Sequence, residues 1–131
     1  MQLSADTRAG ANVIIGYSAG ELRLRDRIVT TSAIVTARAV VPWPVERVED
    51  LTPALLAPAF EVAEVVLLAT GSRQRWPAAE IVAAAAARRV GLEVMDLGAA
   101  CRTYNLLVAD ERPVALAAIL DRVAGPNSAG R

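Results

Sequence analysis

The stretch MDLGAACRTYNLL, residues 95–107, gathers the chain's most reactive side-chain types in a short span. It holds the only cysteine, Cys101, next to Arg102, with Asp96 ahead and Tyr104 and Asn105 behind. A thiol near a helix N-terminus and beside a guanidinium can be acidified into a nucleophile. The turn at 96–102 leads into a predicted helix start, whose free N–H groups and dipole favour an anion. A second turn, TGSR at 70–73, follows another apolar run. Arg73, Arg75 and Arg102 could add charge-assisted bonds to a phosphate or carboxylate. The candidate set for a ligand or a partner is therefore Gly71, Ser72, Arg73, Asp96, Gly98, Cys101, Arg102 and Asn105. None of them is assigned a catalytic role.

Each member also has a structural reading. Cys101, Tyr104 and Val108 fall at i, i+3 and i+7, which is one helical stripe, and a small thiol on such a stripe packs in the core. Gly71 and Gly98 permit tight turns. Asn105 is unfavourable inside a helix because its amide competes with backbone bonding, which predicts an amide tied to a neighbouring loop, TGSR being the candidate. No GxGxxG or P-loop pattern is present, so a nucleotide is not expected. Glu46, Glu49 and Asp50 in VERVED alternate with Arg47 as a solvated loop would, not as a glycosidase pair in a cleft.

Composition excludes more than it assigns. There is no histidine, which removes His-based acid–base catalysis, Cys-His pairs and most transition-metal sites. All 14 basic residues are arginine, so Schiff-base chemistry and a P-loop lysine are excluded. One cysteine allows no internal disulfide and fits a reducing compartment. Net charge is zero and the arginines are spread along the chain, so a nucleic-acid groove is not expected. No apolar run reaches the roughly 18–20 residues of a membrane-spanning helix. The opening MQLSADTRAGAN lacks a basic segment followed by an apolar one, so no secretory signal is expected and the expected location is cytoplasmic. No metal and no cofactor are expected.

These residues need elements to place them. With 131 residues, 54% hydrophobic but 4% aromatic, the chain predicts one domain over 12–121 with an aliphatic core, and flexible ends at 1–11 and 122–131. NVIIGY, the SAG turn and ELRLRD read as a β-hairpin, with Leu22 and Leu24 on the buried face. RIVTTSAIVTARAVV is rich in β-branched residues and reads as strand. Prolines 42, 44, 53 and 58 predict a turn-rich connection with little regular structure over 42–60. EVVLLAT (64–70) reads as a strand covered on both faces. PAAEIVAAAAARRVG reads as a helix with Pro77 first, Glu80 and Arg88–Arg89 complementing its dipole, and Gly91 as C-cap. LEVMD (92–96) is a second strand parallel to the first, and 98–109 a second helix. In RPVALAAILDRV, Val114, Ala117 and Ala118 at helical spacing favour a helix, against a strand with a continuous apolar face.

LLATGSRQRWP, GLEVMDLGAACRTYNLL and RPVALAAIL together resemble the Mth-type domain family, with TTSAIVTARAVVPW resembling its β segment ending near Trp43. The likeness covers roughly residues 12–120. It departs at Leu97, where relatives place Thr or Ser, at Ala37 in place of proline, and at Trp76 in place of phenylalanine. The resemblance implies a three-layer α/β domain: a mixed central sheet with a parallel βαβ unit, an antiparallel last strand at 113–120, and an N-terminal β-hairpin or meander. The family includes a mitochondrial complex I assembly factor, an adipogenesis-associated protein and uncharacterised bacterial members. It thus implies a non-catalytic, assembly-factor-like module acting through a protein partner, with a link to complex I assembly. The alternatives left open are a binder of a small anion or a thiol enzyme at 70–73 and 96–102, and a homodimer through an exposed edge strand.

Overall fold

The computed structural model describes residues 10–121. Among the described residues there are eight strands: β1 Gly16–Ser18, β2 Glu21–Arg23, β3 Ile28–Val29, β4 Ala33–Val35, β5 Val40–Pro42, β6 Val65–Ala69, β7 Gly91–Met95 and β8 Val114–Ala118. Three α-helices join them: α1 Pro53–Val62, α2 Ala79–Ala87 and α3 Leu97–Ala109. The first three strands form an antiparallel meander, and the other five a mixed sheet in the order β5-β4-β8-β6-β7. The flexible ends expected at 1–11 and 122–131 lie outside the described residues except for Gly10 and Ala11, and Ala11 is buried.

Alternation along the strands divides the core into two layers. Leu67, Ala69, Val114, Leu116 and Ala118 pack with Val35 against α3 and the meander's Leu22 and Leu24. Val66, Leu68, Ala115, Ala117 and Ile34 face the opposite way, against Leu56 and Phe60 of α1 and Ile81 of α2. A period of two on a sheet covered on both faces produces this continuous apolar reading, in which both sets are buried. The three-layer α/β architecture is thus as the family resemblance implied, and the parallel β6–β7 pair as the element order predicted.

Several elements differ from their sequence reading. Within the 113–120 segment Val114–Ala118 is a strand, as the family likeness implied against the helical spacing. It runs antiparallel to β4 but parallel to β6, so the antiparallel last strand holds on one side only. The β-branched run at 27–41 is broken into three short strands. The proline-rich connection holds a turn of 3-10 helix at Val48–Asp50 and the ten-residue α1. Pro53 takes the first helical position, and Thr52 caps it by accepting from the Leu55 N–H at 3.3 Å. Pro58 lies inside α1, where a proline ordinarily costs about 3 kcal/mol. Burial of Leu56, Ala59 and Phe60 works against that cost, and the Trp43 indole N–H donates to the Leu55 carbonyl at 2.8 Å.

Helix α2 begins at Ala79 with Ala78 as its N-cap, so Pro77 precedes the helix instead of opening it. Nor is Gly91 the C-cap: Arg88 caps α2, Arg89 takes the left-handed turn at φ 59°, and Gly91 opens β7. The Arg88 guanidinium instead lies 5.8 Å from the Phe60 ring centroid, tying α2 to α1.

Both margins of the five-stranded sheet carry a local modification. On β5, residues 39, 41 and 43 turn their backbone groups toward β4, so Pro42 places its missing N–H on the open side. On β7, the Val94 carbonyl faces outward and accepts from the Gln74 amide at 2.7 Å.

Candidate functional site

Because β6 and β7 are parallel neighbours, the two turns that leave them share one rim. The Leu97 N–H donates to the Gly71 carbonyl at 2.7 Å, locking the turns together. Gly71 is required there by its backbone, with φ +92°. A Cβ on it would also stand 3.1 Å from a carboxylate oxygen of Asp121. Gly71, Ser72, Asp96, Gly98 and Arg102 line a shallow cleft of about 280 Å³ with Tyr17 and Ser18 of β1. Open α/β sheets place ligands at such a carboxyl edge.

The rim is ordered by its own side chains. The buried Thr70 hydroxyl donates to the Arg73 carbonyl at 2.8 Å and accepts from the Arg75 N–H at 2.9 Å. That holds the 70–75 loop while Ser72 and Arg73 stay exposed. Asp96 caps α3 by accepting from the Ala99 N–H at 2.9 Å. A carboxylate thus already occupies part of the helix N-terminus that the alternative reading gives to an anion, and it competes electrostatically with one. Arg102 makes no ion pair with Asp96; its guanidinium donates to the Tyr17 hydroxyl at 3.0 Å. Gly98 lies beneath that hydroxyl, and a Cβ on it would fall 2.7 Å from the Tyr17 oxygen.

Two predicted members face away from the cleft. Cys101 is 2% exposed and packs in the core beneath α3. Burial pushes its thiol up from 9.0 to about 12, against a smaller downward pull from Arg102. The thiol is therefore neutral and shielded at physiological pH, contrary to what a thiol enzyme requires. Iodoacetamide is expected to leave native Cys101 unlabelled and to react only after denaturation; fast labelling of folded protein would contradict this. The raised value also means the folded state holds its proton longer than the unfolded chain. Stability is unaffected well below pH 9 and falls as pH rises from about 9 toward about 12. That part of the alkaline slope should vanish in Cys101→Ala.

Asn105 is a tie, but not to TGSR. Its Oδ1 accepts from the Ile14 N–H at 2.9 Å and its Nδ2 donates to the Ile14 carbonyl at 2.8 Å. At the preceding position, on the buried face of the helix, the Tyr104 hydroxyl donates to the Asn12 carbonyl at 2.8 Å. Together they strap the 12–15 segment along α3 and carry Tyr17 to the rim. The sequence singled out neither Tyr17 nor Thr70. Tyr17 gives only the signal of a half-exposed aromatic on a short strand.

The remaining acids, Glu46, Glu49 and Asp50, lie outside this cleft, with Arg47 and Glu49 3.8 Å apart at the surface. Among the described residues no group of three or more His, Cys, Asp or Glu side chains could hold a metal ion. No helix among them is long and apolar enough to cross a membrane.

Residues 14–119 match the family described as "Protein of unknown function (DUF498/DUF598)". Over 120 residues the chain is 28% identical to NADH dehydrogenase (ubiquinone) 1 alpha subcomplex assembly factor 3 of Danio rerio, spanning 89% of this chain and 68% of that protein. A crystal structure of a Bordetella parapertussis protein is 34% identical, with TM-score 0.79 over 86% of this chain and 98% of that one. An NMR structure from Xanthomonas campestris is 33% identical, with TM-score 0.79 over 95% and 96% of the two chains. A Bordetella pertussis protein described as a Mth938-like domain is 29% identical, with TM-score 0.75 over 91% of each chain. The resemblance read from the sequence and the fold it implied both stand on these likenesses.

Proposed function

Because the chain belongs to the DUF498/DUF598 family, we propose that it is a non-catalytic protein-binding module of the assembly-factor kind. Its reading as a module for respiratory complex I assembly rests on the likeness to the Danio rerio assembly factor across 89% of the chain. The surface offered to the partner is the rim of Gly71, Ser72, Arg73, Asp96, Gly98 and Arg102. Arg73 and Arg102 are exposed there and form no ion pair among the described residues. Guanidiniums on a loop and helix held by internal hydrogen bonds are suited to a carboxylate-bearing protein surface, since little side-chain order is left to lose. A cytoplasmic setting accords with the single reduced cysteine.

The test is affinity capture from native lysate with the wild-type chain, Arg73→Glu/Arg102→Glu, and a control, Arg89→Glu, away from the rim. The expected outcome is a reproducible partner retained by wild type and control and lost by the double variant. A partner set unaffected by the double variant would remove the rim from the proposal. A second reading, a small anion in the same cleft, is supported by Arg102 and the Tyr17 hydroxyl standing together. Phosphate raising the thermal midpoint in wild type but not in Arg102→Glu would favour it.

A further inference from the structure

The helical layer formed by α1 and α2 does not extend across the whole sheet. Helix α1 packs over β8 and β6, and α2 over β7. Beyond α1, the face of β4 and β5 is left as a groove of about 740 Å³. Ile34 and Val41, cross-strand partners, form its floor. Leu55, Pro58 and Val62 recur at i, i+3 and i+7 along α1 as its wall, and Trp43 closes one end. Val41 is 50% and Val62 61% exposed, so the groove presents bulky apolar side chains to water. Its volume is in the range of about 300–1,000 Å³ that takes a small ligand.

Charge is unevenly placed along it. The opposite end, where β8 begins, carries Arg38 on the β4–β5 turn and Arg112 in the approach to β8, with Glu61 on the α1 side. Arg38 forms no ion pair among the described residues, and Arg112 reaches only Glu64, at 3.9 Å across exposed side chains. With Arg112 balanced by Glu64 and Glu61 on the α1 side, Arg38 is the guanidinium at that mouth left without an ion pair among the described residues. An added β-strand is a poor occupant, because Pro42 removes a backbone donor from the open edge. A long apolar body with an anionic head fits both features.

We propose that this groove binds an elongated amphiphile with a carboxylate head, a long-chain fatty acid. The chain lies on Ile34, Val41, Leu55, Pro58 and Val62 and runs toward Trp43, and the head meets Arg38 and Arg112. The charged mouth is at the end of the sheet opposite the 70–73 rim, and the groove shares no lining residue with the cleft there, so the site is independent of the partner surface proposed above.

The test uses the full chain carrying Trp76→Phe, which leaves Trp43 as its one tryptophan and changes no groove residue. Dodecanoate, dodecyltrimethylammonium and dodecanol are titrated below micelle formation, reading Trp43 emission and the thermal midpoint. Dodecanoate is expected to change the emission saturably, to raise the midpoint, and to bind at least tenfold tighter than the cation. Val62→Glu, at an exposed position, should weaken it tenfold or more with circular dichroism unchanged. Arg38→Glu should weaken it likewise, while Arg38→Lys retains binding. Equal or tighter binding of the cation, undiminished affinity in Val62→Glu, or a falling midpoint without saturation would each overturn the proposal. A ligand-free dimer abolished by Val62→Glu in light scattering would assign the groove to a second copy instead.

Discussion

Tyr104→Ala is expected to destabilise the domain by about 3–5 kcal/mol, the range for truncating a buried aromatic. The side chain is fully buried among Leu22, Ala100, Leu116 and other residues of the layer beneath α3. Its ring fills the space between α3 and the N-terminal segment, and its hydroxyl satisfies the Asn12 carbonyl. Alanine leaves both a cavity and an orphaned acceptor. Against a typical total of about 5–15 kcal/mol, such a loss leaves little margin. Urea unfolding should show a lower midpoint with an unchanged slope. Tyr104→Phe separates the contributions, since it keeps the ring and removes only the hydroxyl, at about 1–3 kcal/mol. Equal losses in the two variants would mean that the ring packing contributes little.

The second large effect is expected at Asn105. Alanine there removes both bonds to Ile14 and costs about 2–6 kcal/mol, since each backbone group left unsatisfied costs about 1–3 kcal/mol. Asn105→Asp keeps an acceptor for the Ile14 N–H but sets a second oxygen against the Ile14 carbonyl, so it should be no milder than alanine at neutral pH. The Ile14 amide should also exchange with deuterium faster, while amides of β6 and β8 keep their protection. Asn105→Ala within about 0.5 kcal/mol of wild type, as for an indifferent surface position, would mean that the strap does not hold the segment. Because the strap carries Tyr17 to the rim, its loss should also weaken any binding that depends on Arg102.

What could be read from the sequence was what local chemistry dictates. The apolar runs at 64–70 and 92–96 and the helix between them needed only periodicity and length to yield a parallel pair, and the pairing puts Gly71 and Gly98 on one rim. The stripe of Cys101, Tyr104 and Val108 likewise predicted a buried thiol. Where the reading failed, the deciding contact was distant. Asn105 announced a tie, but its partner Ile14 is 91 residues away, and nothing local distinguishes it from the nearer TGSR loop. The prolines at 53 and 58 argued against a helix on propensity alone. Thr52, the buried face of α1 and the Trp43 indole bond decided the matter through tertiary packing. At 88–91 the glycine was the expected turn residue, yet Arg89 takes the positive φ. Gly91 is placed instead by the bond from its N–H to the Glu64 carbonyl at 2.9 Å, which starts the β6–β7 register.

The proline on one outer strand and the glutamine amide on the other have a consequence for the chain in a crowded cell. A five-stranded sheet rich in valine, leucine and alanine is the composition that seeds fibrils when its margins can recruit more chain. Here neither margin is a clean template: Pro42 lacks a donor, and the Val94 acceptor is taken by Gln74. Gln74→Ala would be expected to shorten the lag before thioflavin-positive aggregates form on warming, even where the melting temperature hardly moves.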